Sequence, residues 1–227
     1  MLRWLQSSSG AASKPTRDVG ATTGEEQKCP GMARALQRIL SDREQPEVLD
    51  LGQFSRSAAV YLANRGARVS VEDFVPPSEK RKRRKTKTTT GDGEQSEPPK
   101  PDPVVIPHDD GKFDLVLAWE HWDFVPPERL AEFAAEVGRV LAPGGWLVLY
   151  AKDCPGAEPG GEEQVGGYSL AADDRMVRLP GSGPARPRWS HPNRAIERAL
   201  APLSVQAIHL LPNRIREFLV RKPPKPS

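Results

Sequence analysis

Cysteine is scarce in this chain. Cys29 and Cys154 are the only two in 227 residues and form no C-x-x-C pair, so neither a disulfide framework nor a zinc-binding cluster is supported. A reducing compartment fits that usage. Long apolar runs are absent as well: no stretch approaches the roughly 18 uncharged apolar residues that suggest a membrane-crossing helix. The only apolar start, Met1–Leu5, passes directly into Gln6, Ser7, Ser8, Ser9 and Gly10, without the hydrophobic stretch of a secretory signal. These absences lead us to expect a cytoplasmic protein with no membrane partner and no metal site.

Basic charge is present, but it is not spread. The formal net charge is +3, and Lys80, Arg81, Lys82, Arg83, Arg84, Lys85 and Lys87 alone supply seven positives; without them the remainder carries −4. The charge therefore reports one tract rather than a basic folded face of the kind that binds nucleic acid. No aromatic residue interrupts residues 80–87, so base stacking is not supported there; the run reads as a solvated linker, with a nuclear-localisation-like or nucleic-acid patch as the alternative. A hydrophobic content of 37% suffices for a core, while 24 Pro and 19 Gly assign much of the chain to loops.

Periodicity locates the elements. Residues 6–30 lack an apolar period and read as part of a disordered N-terminal tail, 1–30, with order expected from about Met32. Met32, Leu36, Ile39 and Leu40 share one helical face. Val48–Leu51 is a strand leading into Gly52 and a helix with Ala58, Ala59, Tyr61, Leu62 and Ala63; Gly66 ends that helix before a second strand, Ala67–Val71. This is a βαβ unit. Residues 75–103 read as a disordered basic insertion, after which Val104–Ile106 and Phe113–Trp119 resume as strands. Pro126 and Pro127 open a helix with Leu130, Phe133, Ala134, Val137, Val140 and Leu141 on one face, and Pro143–Gly145 turns the chain into a fifth strand, Trp146–Tyr150. An edge pair is expected around Tyr168–Leu170 and Met176–Leu179. A helix near Asn193–Leu200 precedes an antiparallel hairpin of Val205–Leu211 and Glu217–Val220. The domain is expected over residues 31–221, with 222–227 as a tail.

A strand, a glycine turn, a helix, a second strand and an acidic residue together let a helix N-terminus and open backbone receive a nucleotide-like ligand, with a carboxylate for the ribose hydroxyls. Asp73 lies 21 residues after Gly52, near the ~20 that this arrangement calls for. Val48-Leu49-Asp50-Leu51-Gly52 resembles the first motif of the class I S-adenosylmethionine-dependent methyltransferases. Gly66-Ala67-Arg68-Val69-Ser70-Val71-Glu72-Asp73 resembles their second, Phe113–Trp119 their fourth, and Arg139–Val148 the turn into their fifth strand. The resemblance implies a doubly wound, Rossmann-like α/β sheet of about seven strands with an antiparallel C-terminal hairpin. It implies S-adenosylmethionine as cofactor, and methyl transfer to an unidentified small-molecule or protein acceptor.

The same resemblance assigns cofactor contacts to Asp50, Gly52, Phe54, Glu72, Asp73 and Trp119, with Asp73 the primary ribose partner and Glu72 the alternative. It puts His121 or Asp123, just beyond the fourth strand, at the acceptor. The family's loop is D-x-G-x-G-x-G, whereas this chain has Phe54 and Arg56 at the second and third glycine positions, and Phe54 adds bulk where a glycine admits close approach. That departure keeps a second reading open: a non-catalytic member of the fold, acting as a cofactor sensor or interaction scaffold. A nicotinamide-dependent oxidoreductase is disfavoured, because Gly52-x-Phe54-x-x-Ser57 fails the G-x-G-x-x-G fingerprint at two of its three glycines. No Asp/Asn-Pro-Pro-Tyr/Phe sequence is present, which argues against members that methylate adenine or glutamine nitrogens.

Overall fold

The computed structural model describes residues 26–74, 103–153, 161–181 and 183–225. The expected basic insertion, Pro103 apart, lies outside them. Within the segment expected to be a tail, Glu26–Lys28 form a strand, β1, which pairs antiparallel with β8 (Arg175–Leu179). Such pairing uses main-chain groups alone, so no apolar period announced it.

The first helix, α1 (Pro30–Asp42), starts on a proline at the position that tolerates one and buries Met32, Ala35, Leu36 and Ile39. It leads into β2 (Glu47–Asp50), α2 (Arg56–Ala63) and β3 (Arg68–Val71). Ser55 caps α2, its hydroxyl accepting from the Ala58 amide at 3.3 Å, and Gly66 closes the helix at φ +85°, a conformation that suits glycine. The chain then gives β4 (Phe113–Leu117), α3 (Leu130–Val140) and β5 (Leu141–Lys152). A short pair, β6 (Glu162–Glu163) and β9 (Arg186–Pro187), flanks the hairpin of β7 (Gly167–Ala172) and β8. The described chain ends with α4 (Asn193–Leu200), β10 (Ser204–Leu211) and β11 (Ile215–Arg221).

The central sheet has six strands in the order β10-β11-β5-β4-β2-β3. β3, β2, β4 and β5 are mutually parallel, and β11 and β10 run antiparallel, as expected of the terminal hairpin. The α/β class and doubly wound arrangement hold, with one strand fewer. Val104 and Ile106 are buried and Val105 is exposed, but the segment makes no ladder. The amides of Val104 and Ile106 instead donate to Glu132 Oε1 (2.7 Å) and Glu136 Oε2 (3.0 Å) on α3. An apolar triplet satisfied by helix carboxylates reads the same in sequence as a short buried strand.

Alternation along the parallel strands splits the core between two faces. Leu49 and Val116 pack with α3 and α4, while Val48, Leu115 and Leu117 pack with α1 and α2. Glu217 of β11 ties the second face together. Its fully buried carboxylate accepts from the Gly31 amide (2.7 Å), the Met32 amide (2.9 Å) and the Tyr150 hydroxyl (3.0 Å), supplying the partners that the first turn of α1 otherwise lacks. Glu217→Ala would strand all three donors away from water, and a loss of about 2–4 kcal/mol in urea-unfolding stability is expected. A loss under about 0.5 kcal/mol would show that water enters and replaces the carboxylate.

Candidate functional site

In an open α/β sheet, ligands enter the crevice outside the carboxyl ends of the parallel strands. Here that crevice is bounded by the ends of β2, β3 and β4. Asp50, the last residue of β2, is 2% exposed, and its Oδ1 accepts from the Gly52 amide (2.8 Å) and from Trp119 Nε1 (2.5 Å). Burial pushes its carboxyl up to about 6, against the opposing pull of those two donors.

Trp119 opens a short 3-10 helix, Trp119–Phe124, one residue beyond the end of β4. Its φ is +35°, in the left-handed region that a bulky side chain rarely adopts. The indole is fully buried and lies almost parallel to two tyrosine rings, 4.8 Å from the Tyr168 centroid and 5.8 Å from that of Tyr150. It also covers the glycine turn: a Cβ placed on Gly52 would fall 2.6 Å from Trp119 Cδ1 and 2.8 Å from its Nε1. The bulk above this turn therefore comes from Trp119. Phe54, expected to press on a ligand there, is instead 68% exposed.

The β7–β8 hairpin completes the cover. Ser169 Oγ lies 2.5 Å from Ser57 Oγ at the start of α2, Gln53 donates to the Val165 carbonyl at 3.2 Å, and the Tyr168 hydroxyl donates to Glu120. Glu120, 2% exposed, also faces Arg188 (3.1 Å) and Arg178 (3.3 Å).

The remaining predicted residues divide between two regions. Glu72 lies half-buried at the end of β3 with Oε1 3.0 Å from His108 Nε2, while the neighbouring Asp73 is exposed. His121 is buried, its Nδ1 3.0 Å from the Ala118 carbonyl and its ring 6.3 Å from that of Phe74; burial lowers its pKa and favours the neutral ring. Asp123 is fully buried, and its Oδ2 receives Arg188 Nη2 at 2.5 Å and the Lys152 amide at 2.9 Å. Desolvation raises its carboxyl to about 7 despite the guanidinium. Asp50, Gly52 and Trp119 thus come together as one contact, whereas on the turn His121 Nδ1 meets the Ala118 carbonyl and Asp123 Oδ2 meets Arg188, with Asp123 Oδ1 buried and unpartnered. Sequence reasoning missed Tyr150, Tyr168 and Arg188. Tyr150 and Tyr168 looked like ordinary strand residues, and Arg188 lies beside Gly- and Pro-rich chain with no periodic signal.

Residues 49–149 match the family model described as a methyltransferase domain. Over those residues the chain is similar to methyltransferase domains. The methyltransferase fold is also that of an S-adenosylmethionine-dependent methyltransferase from Mesorhizobium loti, 16% identical, with a TM-score of 0.50 over 85% of this chain and 98% of that one. Other similar structures are a methyltransferase from Methanosarcina mazei (17% identity, TM-score 0.47, 81% and 95% of the two chains) and the 1,6-didemethyltoxoflavin-N1-methyltransferase of Burkholderia thailandensis. The latter is 16% identical, with a TM-score of 0.46 over 85% of this chain and 78% of that one, and was solved with 1,6-didemethyltoxoflavin and S-adenosylhomocysteine bound. A search of curated protein sequences finds no match. No helix among the described residues is long and apolar enough to cross a membrane.

The buried Asp50 sets a pH dependence. An unfolded aspartate titrates near 3.9, whereas the folded chain retains this proton up to about 6. Between those values the folded state binds more protons, so Asp50 makes stability fall as pH rises through the window. Asp50→Asn keeps an acceptor oxygen and cannot ionise. Urea unfolding at intervals from pH 4 to 7 should show the variant gaining on the wild type by up to about 3 kcal/mol. A difference that stays constant across that range would rule the assignment out.

Proposed function

We propose that the protein binds S-adenosylmethionine in the crevice at the ends of β2, β3 and β4 and transfers its methyl group to a nucleophilic O, N or C of a small-molecule or protein acceptor. The observation carrying this reading is the convergence of the Asp50-Leu51-Gly52 turn and the Glu72-Asp73 strand end on one crevice, within a domain matched to methyltransferases. The strand-end carboxylates fit the cofactor. Asp73 is exposed and suited to the ribose hydroxyls, while Glu72 is engaged by His108, which favours Asp73 of the pair. The glycine turn fits only when the Trp119 indole is elsewhere.

Bound cofactor supplies an activated methyl on a sulfonium, with its leaving group built in. The chain's own task is alignment and the exclusion of water. A general base is optional for such a transfer. His121 is the candidate for taking a proton from the acceptor, since its ring is held neutral by burial, and Asp123 is the candidate for fixing the turn through Arg188. Both act on an acceptor only if the Trp119–Phe124 turn opens toward it. A cytoplasmic location belongs to the same reading, as does the boundary of the domain at residues 31–221 around an inserted basic segment.

The second reading, a non-catalytic cofactor sensor or interaction scaffold, is favoured by the indole over Gly52. Calorimetry with S-adenosylmethionine, S-adenosylhomocysteine and NAD side by side separates the readings from their rivals. The first two ligands should bind saturably and NAD should not. Asp73→Ala should weaken binding roughly 10- to 100-fold through loss of charge-assisted hydrogen bonds. Unchanged affinity in both Asp73→Ala and Glu72→Ala would remove the ribose assignment. Binding without methyl transfer across a broad acceptor screen would select the scaffold.

A further inference from the structure

We propose that Trp119 is a gate: its indole occupies the space over Gly52 that S-adenosylmethionine would need, and ligand enters only when the ring leaves the Tyr150–Tyr168 stack. The inference rests on the cofactor reading above and goes beyond it by assigning the closed state to one side chain.

Space is the first argument. A glycine in a ligand-binding turn serves by letting a ligand approach its backbone, and at Gly52 that approach is taken by Trp119 Cδ1 and Nε1, both under 3.0 Å from where a Cβ would stand. Hydrogen bonding is the second. Asp50 Oδ1, which orders the turn through the Gly52 amide, is also the acceptor for the indole N–H, so the ring is docked by polar contact as well as by packing. Backbone conformation is the third. Trp119 holds φ +35°, and a bulky residue stays in that region only while its surroundings over-determine it. Withdrawal of the ring frees the residue to return to negative φ, so strain favours opening while packing opposes it.

The packing partner is itself separable from the central sheet. Tyr168 belongs to the β1-β8-β7 sheet, which shares no ladder with the six-stranded one. The hairpin meets the crevice through side-chain bonds: Ser169 to Ser57, Tyr168 to Glu120, and Tyr61 to Asp173 at 2.7 Å. Lifting it breaks no strand pairing of the main sheet.

Two measurements test the gate. Trp119→Gly removes the indole and accepts the positive φ, so by calorimetry it should bind S-adenosylhomocysteine at least tenfold more tightly than the wild type. In the wild type, saturating S-adenosylhomocysteine should lower hydrogen-exchange protection at residues 118–122, the opposite of what a ligand resting on a fixed turn produces. If the wild type binds as tightly as Trp119→Gly, or protection at 118–122 rises or stays unchanged on binding, the gate is overturned and the cofactor reading stands. If both proteins fold and neither binds, cofactor reading and gate fall together. Should Trp119→Gly fail to fold, the wild-type exchange decides alone, with unchanged or increased protection overturning the gate.

Discussion

One carboxylate oxygen, Oδ1 of Asp50, joins the parts of this molecule that bear on function. It accepts from the backbone of the glycine turn and from the indole of Trp119, and so fixes β2, the turn and the segment after β4 to one another at a point closed to water. A buried acceptor with two donors is satisfied, whereas one with a single donor in the same place would be costly. That constraint accounts for the unusual backbone at Trp119: the ring must reach Asp50 from two residues past β4, and a positive φ brings it there. The stack with Tyr150 and Tyr168 follows from the position of that ring, and the location of the hairpin from the stack.

Much of the fold was legible in the sequence because it depends on local patterns. The βαβ unit around Gly52 and Gly66, the amphipathic stripe of α3 and the terminal hairpin all follow from apolar spacing and turn chemistry, and they stand within a few residues of expectation. The discrepancies share a cause. Val104–Ile106 has its amides satisfied by Glu132 and Glu136, and Glu26–Lys28 gains order from main-chain pairing with β8, and both partners lie far along the chain. Apolar spacing records what a segment buries, but not which groups its backbone meets.

The site was legible in its frame and hidden in its filling. Asp50, Gly52, Glu72 and Asp73 were placed by motif, and they stand at the strand ends where motif reasoning puts them. The departure at Phe54 correctly drew attention to the glycine turn but to the wrong side chain, since Phe54 faces solvent and Trp119 supplies the bulk. A stack of three aromatics drawn from positions 119, 150 and 168 leaves no mark in any sequence window. Arg188 is equally silent, although it is the cation that lets Glu120 and Asp123 share one interior.

The grip of Glu217 on α1 bears on how the polypeptide comes to be folded at all. The contact joins residues separated by 186 positions, so during synthesis the first turn of α1 emerges long before the carboxylate that completes it. Until β11 is made and paired with β5, the helix has an apolar face without its full bed and amides without an acceptor. Docking of α1 is thereby coupled to the synthesis of β11, so the start of the helix and the carboxylate that completes it cannot meet until the intervening residues have been made.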